Sequence, residues 1–294
     1  MSDKLYHKDE IQSLAKIFFQ KFLKTMIISP ISHNAKTSFK SKHINNFESN
    51  SNSATGYLNH TSHFFRYEGN FDDVGPNEAM LKYFKKTHKA PIKIVSAGSS
   101  WGEEAYSLAM GIKALKMQGE VTGFDTSKTV VQRAKNATYT LDTQDYRTLL
   151  TEPEGNTTPF KKEIQNVFKE NFQKLDIPPK DSFIYSKKKD SDLNCKFFRG
   201  EIRYIDSYFE KNSLDMVTCR NVLYHLDDED CEKTLKAIKT VLKPNGFLSV
   251  APSETESYTK FLKSIGFSQP FKDNACVYKK QGRLKEFLSK FKLC

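Results

Sequence analysis

The chain has 294 residues, of which 38% are hydrophobic and 28% are charged, and this length allows a substantial buried core. It contains no continuous apolar run of about 18 residues and no apolar region typical of a secretory signal, which argues against a membrane span and against secretion. Its five cysteines lack Cys-x-x-Cys spacing, so we expect free thiols and a cytoplasmic protein.

The net charge of +11 is concentrated partly at the two ends of the chain. Residues 1–58 contribute +4 and residues 279–294 contribute +5. Basic ends can attract nucleic acid, anionic lipid or an acidic protein surface, and they can equally be solvated surface. Of these partners we expect an acidic protein surface and not nucleic acid. Apolar residues at helical spacing in 284–291 could contact a membrane, but packing on the chain's own domain is favoured.

The first 58 residues are predicted to be an appendage. Apolar positions repeat at helical spacing over residues 10–28, which predicts a short helix with one apolar face. Asn and Ser dominate residues 45–56, a composition typical of a flexible linker. We therefore expect a basic helical appendage with its linker at 1–58 and one main domain at 59–294.

From residue 92 onward, the pattern alternates regularly between strands and helices. The predicted helices lie at 103–116, 128–136, 160–175, 229–242 and 257–265. The predicted strands lie at 92–97, 121–124, 195–198, 214–219 and 247–251, followed by a terminal pair that closes at 275–278. Such alternation predicts a Rossmann-like α/β fold with a doubly wound, mainly parallel, seven-stranded sheet.

Polar residues follow three of these strands at the edge where such sheets bind ligands. A turn of small residues from Gly98 to Gly102 follows the first strand, Asp125 ends the second, and Arg220 with Asn221 end the fourth. The turn lacks the third glycine of the dinucleotide fingerprint, which disfavours an NAD-dependent enzyme. The pattern favours a class I methyltransferase that uses S-adenosylmethionine.

The acids at this edge allow two interpretations each. Glu103 and Glu104 open a helix, where carboxylates stabilise the helix dipole, and either could also reach the amino group of the cofactor's methionine. Asp125 could cap the following helix or accept the ribose hydroxyls, and its register favours the ribose.

Four segments, in their order and spacing, resemble the chemotaxis-receptor glutamate methyltransferases of the CheR type. They are Thr-Ser-His-Phe-Phe-Arg at 61–66, Ser-Ala-Gly-Ser-Ser-Trp-Gly-Glu-Glu-Ala-Tyr-Ser-Leu-Ala-Met at 96–110, Cys-Arg-Asn-Val-Leu-Tyr at 219–224 and Leu-Lys-Pro-Asn-Gly-Phe-Leu at 242–248. The resemblance covers roughly residues 58–255. Each segment alone is weakly specific for the family, but the segments together are specific for it.

The resemblance implies a set of site residues for S-adenosylmethionine and its product S-adenosylhomocysteine. Arg66 would approach the methionine carboxylate or the acceptor carboxylate, and Tyr224, just after the fourth strand, could touch the acceptor. Glu103 matches the cofactor-binding acid, with Glu104 as the neighbouring possibility. The predicted catalytic residues are Arg66 and Tyr224, and the predicted cofactor-binding residues are His60, Ser62, Arg66, Gly98, Glu103, Asp125, Glu201, Ile202, Arg220 and Asn221.

The chain also departs from the family pattern. His60 and Glu201 stand where the family usually has Asn, Ser62 replaces a Thr, and Trp101 places an indole where the family usually has Thr. Residues 1–58 do not resemble the usual receptor-recognising domain, and we recognise no three-stranded insertion of the kind that some members use to dock on receptor tails. Three of these departures, at His60, Glu201 and Trp101, leave open a catalytically silent sensor that retains the cofactor pocket.

The leading hypothesis is a methyltransferase that acts on a carboxylate of a protein with an acidic surface. A carboxylate is already ionised at neutral pH, so the reaction needs no general base. A small-molecule acceptor or another protein side chain is the alternative within the same class. His60 and His63 could form half of a metal site, but no Cys/His cluster accompanies them, and we expect no metal.

Overall fold

The computed structural model describes residues 62–66, 75–151, 158–176 and 183–282. The predicted helix at 10–28, the linker at 45–56, His60 and the apolar stripe at 284–291 lie outside these described residues. Within the described ranges, no helix has both the length and the apolar character that crossing a membrane requires.

A seven-stranded sheet organises the domain. Its spatial order is β6-β2-β1-β7-β8-β10-β9. Pairing is parallel from β6 to β8, and β10 runs antiparallel to both of its neighbours. The predicted doubly wound, mainly parallel sheet is therefore confirmed. The strands are β1 (Ile92–Ala97), β2 (Gly119–Asp125), β6 (Cys195–Arg199), β7 (Leu214–Cys219), β8 (Leu242–Val250), β9 (Phe267–Ser268) and β10 (Val277–Lys280).

Eight helices accompany the strands in the described ranges. Ser127 caps the third of them, since its hydroxyl accepts the N–H of Val130, and a side-chain oxygen at this position satisfies one of the free donors of the first turn. The helices are α1 (Pro76–Thr87), α2 (Glu103–Ala114), α3 (Lys128–Asn136), α4 (Thr143–Leu149), α5 (Pro159–Asn171), α6 (Ile205–Tyr208), α7 (Asp228–Val241) and α8 (Pro252–Ser264).

Three predicted boundaries are wrong by four or five residues. The helix predicted at 257–265 begins at Pro252, and the other two differences have identifiable reasons. The helix predicted at 160–175 ends at Asn171, because the next three residues pair as a strand. The strand predicted from residue 247 begins at Leu242, because Leu242 already pairs with Leu214 on β7 and the pairing continues, after an irregularity, at Phe247.

A second, three-stranded antiparallel sheet lies in chain order between β2 and β6. It consists of β3 (Thr138–Thr140), β4 (Phe172–Lys174) and β5 (Ile184–Lys187), with β5 in the centre. No three-stranded insertion was recognisable in the sequence, whereas the structure contains a three-stranded sheet. Strands of three or four residues separated by two helices are too short for a clear alternation of apolar and polar positions.

An aromatic cluster joins this small sheet to the main domain. The ring of Phe64 is buried, and it makes edge contacts with Tyr139 on β3, Phe168 on α5 and Phe172 on β4, at centroid distances between 5.0 and 6.2 Å. Aromatic rings of this kind bury a large apolar area and favour edge-to-face packing. Phe64 therefore fixes the segment 62–66, and with it the position of Arg66.

Candidate active site

A cavity of about 760 Å³ opens at the carboxyl ends of β1, β2, β6 and β7. It lies where the strand order runs outward in both directions from β1 and β7, the usual ligand position in such sheets. A second cavity of about 530 Å³ lies at the amino ends of β1 and β2 and includes no predicted site residue. The predicted residues that line the larger cavity are Ser62, Arg66, Gly98, Asp125, Glu201, Ile202, Arg220, Asn221 and Tyr224.

The turn between β1 and α2 brings backbone close to the cavity. Gly98, Ser100 and Gly102 all have positive φ angles, of 69°, 48° and 98°. A Cβ atom on Gly98 would lie 2.5 Å from Cγ2 of Val222, so the close approach of this turn to the residues after β7 requires glycine.

Asp125 ends β2 and holds the two turns beside it. Its Oδ2 accepts the N–H of Ser100 at 3.1 Å, and its Oδ1 accepts the N–H of Ser127 at 3.1 Å. The carboxylate still lines the cavity, and an ionised carboxylate has about four acceptor sites. Asp125 can therefore accept further hydrogen bonds from a ligand while it holds the backbone.

The two adjacent acids of α2 lie in different surroundings. Glu104 lines the cavity, and its Oε2 accepts hydrogen bonds of 2.7 Å from Ser96 on β1 and Thr218 on β7. Glu103 is buried away from the lining, and its Oε2 has no hydrogen-bond partner among the described residues. Of the two acids, only Glu104 therefore reaches the cavity lining, because neighbouring helical residues point about 100° apart.

Burial raises the pKa of Glu103 to about 7, and the hydroxyl of Ser62 and the guanidinium of Arg133 oppose this shift only in part. Asp145 on α4 lies nearby, and burial likewise raises its pKa to about 7. Desolvation penalises the charged form of a carboxyl group. These two acids can therefore change protonation state near neutral pH.

The segment 62–66 is fastened to the domain through its backbone. Asp145 accepts the N–H of Phe64 at 2.9 Å, and Ser107 accepts the N–H of Phe65 at 2.9 Å. Phe65 has a φ of 51°, a conformation that is strained for a large side chain. These two hydrogen bonds therefore hold Arg66 at the cavity although the backbone conformation of Phe65 is unfavourable.

His63, considered with His60 as half of a metal site, lies beside two carboxylates, whereas His60 lies outside the described residues. The Nδ1 of His63 lies 3.2 Å from Asp142 and 3.9 Å from Asp145. Asp142 also caps α4 by accepting the N–H of Asp145. His63 thus lies beside two carboxylates at the segment that carries Arg66, although its Nδ1 makes no hydrogen bond among the described residues.

Arg220, at the end of β7, lines the cavity and also connects several elements through its hydrogen bonds. Its guanidinium donates to Ser249 on β8 at 3.1 Å, to Asn77 on α1 at 2.8 Å and to the carbonyl of Arg66 at 3.2 Å. Its Nε also lies 3.4 Å from Glu104. Arg220 thus uses its donors mostly to hold other parts of the site in place.

The outer wall of the cavity consists of two short 3₁₀ helices. The first (Ile202–Tyr204) follows Glu201, and the second (Leu223–His225) carries Tyr224. Arg203 pairs with Glu201 and donates to Asp230 on α7 at 2.8 Å. This pairing balances the charge of Glu201, the residue at which the family usually has Asn.

Trp101 does not line the cavity, contrary to the expectation from its position in the turn. The guanidinium of Arg133 lies 3.4 Å from the centroid of its ring, a cation–π contact. Tyr139 donates to the Trp101 carbonyl at 2.8 Å. Trp101, one of the three departures that favoured a silent sensor, therefore lies outside the cavity lining.

The sequence comparisons agree with this geometry. Residues 59–186 match the family described as CheR methyltransferase, SAM binding domain, and residues 155–250 match a general methyltransferase domain. A chemotaxis protein methyltransferase of Borreliella burgdorferi is 26% identical over 88% of this chain and 92% of its own length. One of Campylobacter jejuni is 23% identical over 62% of this chain and 62% of its own length, so the match spans less than two thirds of that relative.

Residues 59–186 thus match the SAM-binding domain of the CheR methyltransferases, and the curated relatives of the chain are chemotaxis protein methyltransferases. The chain is an enzyme of the S-adenosylmethionine-dependent class, as the sequence predicted. Among solved structures, the CurJ carbon methyltransferase is similar at a TM-score of 0.42 and 13% identity, over 70% of this chain and 53% of that chain. The fold assignment rests on the strand order of the sheet and not on this similarity.

The neighbouring acids of α2 give a matched test of the CheR-type site. Glu104→Gln should weaken S-adenosylhomocysteine binding by about tenfold or more, because it removes a charge from the cavity lining. Glu103→Gln should change the affinity by less than about threefold, because Glu103 lies outside the lining. Isothermal calorimetry on both folded variants measures this, and a larger loss in Glu103→Gln would contradict the assignment.

Glu103 should also impose a pH dependence on stability. Its raised pKa means that the folded protein retains a proton that the unfolded chain releases, so stability falls as pH rises from about 4.5 to about 7. Glu103→Gln removes this loss and should gain on the order of 2 kcal/mol relative to the wild type at pH 8. Urea unfolding at pH 5 and pH 8 measures the effect. The gain should be smaller at pH 5, and an equal effect at both pH values would refute the prediction.

Proposed function

We propose that this enzyme methylates a carboxylate of a protein acceptor, as a CheR-like protein-glutamate O-methyltransferase. The observation that carries the proposal is the cavity, which combines two acids suited to a nucleoside and an amino group, Asp125 and Glu104, with the guanidinium of Arg66. The relatives from Borreliella and Campylobacter are named chemotaxis protein methyltransferases. We propose by analogy a protein acceptor for this chain.

The residues present fit S-adenosylmethionine. A cavity of about 760 Å³ falls within the usual range for a ligand of this size. Asp125 would accept the ribose hydroxyls, and Glu104 would accept the amino group of the methionine part. Glu201 and Ile202 would lie against the adenine, where the Glu201 carboxylate accepts from the exocyclic amine but cannot donate.

Further residues named for the cofactor have more indirect parts in the proposal. Gly98 leaves room for close backbone approach, and Ser62 and Asn221 line the same cavity. Arg220 would act chiefly by holding Glu104 and the Arg66 carbonyl in place. His60 stays a prediction, because it lies outside the described residues.

The chemistry needs position and charge, not a proton acceptor. When bound, S-adenosylmethionine would supply a methyl group carried on a positively charged sulfur. A carboxylate oxygen of the acceptor would bond to the methyl carbon in line with the C–S bond, which breaks and releases S-adenosylhomocysteine. Arg66 would orient the acceptor carboxylate or the methionine carboxylate through its planar pair of donors. Tyr224 would border the acceptor through its phenol, which is 60% exposed at the cavity. Holding the two reactants in line can supply much of the rate increase.

A protein acceptor also accounts for features outside the cavity. Within the part of the chain that the structure describes, β3 and β4 are the unpaired edges of the small antiparallel sheet, and an unpaired edge can accept an extended peptide as a further strand. We propose that the basic appendage at 1–58, as a unit separate from the domain at 59–294, adds attraction to an acidic acceptor surface. Contact of the basic C-terminal tail with a membrane is the less favoured alternative.

Replacing Asp125 tests the cofactor part of the proposal. Asp125→Ala should weaken S-adenosylhomocysteine binding by at least about tenfold, or about 1.4 kcal/mol, since it removes the proposed ribose acceptor. Asp190→Ala, at an exposed aspartate in the loop before β6, is the matched control and should bind normally. Calorimetry decides the point, and an unchanged affinity in folded Asp125→Ala would remove the basis for this site.

Methyl transfer to lysate proteins tests the acceptor. Label from methyl-labelled S-adenosylmethionine should enter protein and be released by mild base, because a methyl ester hydrolyses where an N-methyl or C-methyl group does not. Arg66→Lys should lose about tenfold or more in kcat/KM, because Lys lacks the planar fork. Base-stable label would favour another side chain, and label in small molecules would favour the small-molecule alternative. Cofactor binding without any transfer would favour a silent sensor.

A further inference from the structure

A buried carboxylate outside the cavity lining holds one wall of the cavity. Glu254, in the first turn of α8, is only 3% exposed. Its two oxygens accept four backbone N–H groups, at 3.1 Å from Asn221, 3.0 Å from Val222, 2.9 Å from Leu223 and 2.9 Å from Ala251. Four hydrogen bonds match the roughly four acceptor sites of an ionised carboxylate.

The backbone that Glu254 holds is the wall of the cavity that follows β7. Asn221 has a φ of 58°, in the left-handed region. Val222 fits against Gly98, and Tyr224 and His225 face the cavity immediately afterwards. The three consecutive N–H groups of residues 221–223 would lose this acceptor without Glu254, and buried unsatisfied donors are costly. The side chain therefore maintains a conformation that the local sequence alone does not favour.

We propose that Glu254 is a positioning residue for methyl transfer, which fixes the wall 221–225 so that Asn221 and Tyr224 meet the bound reactants. The proposal rests on the proposed function in one respect, namely that this cavity holds the reactants. Glu254 acts through the backbone of the wall and does not itself line the cavity.

Only a glutamate carboxylate suits this arrangement. A glutamine offers only one acceptor oxygen, and the N–H groups of its amide would face backbone N–H groups, with which they cannot form hydrogen bonds. An aspartate keeps both oxygens but is one methylene shorter. Burial raises the pKa of Glu254, and the four backbone N–H groups oppose that shift, so the hydrogen bonds favour the ionised form that accepts all of them.

Glu254→Gln tests the proposal, with Glu256→Gln as the matched control at an exposed position two residues along α8. Hydrogen exchange of the amides of 221–223 should be at least about tenfold faster in Glu254→Gln. The amides of β1 and β2 should be unaffected. S-adenosylhomocysteine affinity should fall by about tenfold and kcat should fall as well. Glu256→Gln should match the wild type in every measurement.

Three results would overturn the proposal: unchanged exchange at 221–223, faster exchange throughout the domain to the same degree, or faster exchange with normal affinity and normal kcat. The last would mean a purely structural side chain. If Glu254→Gln does not fold, Glu254→Asp provides the same comparison with the charge retained. Wild-type protein that binds no S-adenosylhomocysteine would overturn the proposed function, whereas the exchange rates would still decide whether Glu254 anchors the wall.

Discussion

The site depends on one ion pair, in which the buried Arg220 meets the partly buried Glu104. Glu104 accepts from side chains of both β1 and β7, so it spans the point where the strand order turns outward in two directions. Arg220 extends the same network to β8, α1 and the backbone of Arg66. Removing one member of such a pair leaves an uncompensated buried charge, which typically costs about 3–5 kcal/mol. The pair therefore couples the shape of the cavity to the packing of the domain.

Four carboxylates near the cavity differ in role because their surroundings differ. Glu104 has hydroxyl and guanidinium donors, and Asp125 has two backbone donors and an open side. Glu254 has backbone donors on all of its acceptor sites, whereas Glu103 is buried with an oxygen that has no described partner. The supply of donors separates acids that could bind a ligand from acids that hold the backbone. Residue type alone does not make this distinction.

The large sheet was predictable because its inner strands, such as β1 and β7, are short and mostly apolar segments bounded by clear turns. The position of Asp125, Arg220 and Asn221 at one cavity was predictable from the strand assignment, since residues at the carboxyl ends of parallel strands converge. The sequence did not separate Glu104 from Glu103, because the rotation of α2 depends on packing. It missed β3 to β5, which are too short to show a pattern, and the anchoring by Glu254, which acts across about thirty residues of chain.

The two sides of the cavity are built differently, and this difference bears on the acceptor. The side towards β1 and β2 is fixed by the hydrogen bonds of Glu104 and Asp125 and by the close packing of Gly98 against the Val222 side chain. The side of Tyr224 is exposed, although the backbone beneath it is held by Glu254. A small acceptor would normally be enclosed by its site. An exposed aromatic residue on a rigid wall is instead suited to a surface that a protein partner covers on binding. This asymmetry supports the proposed protein acceptor.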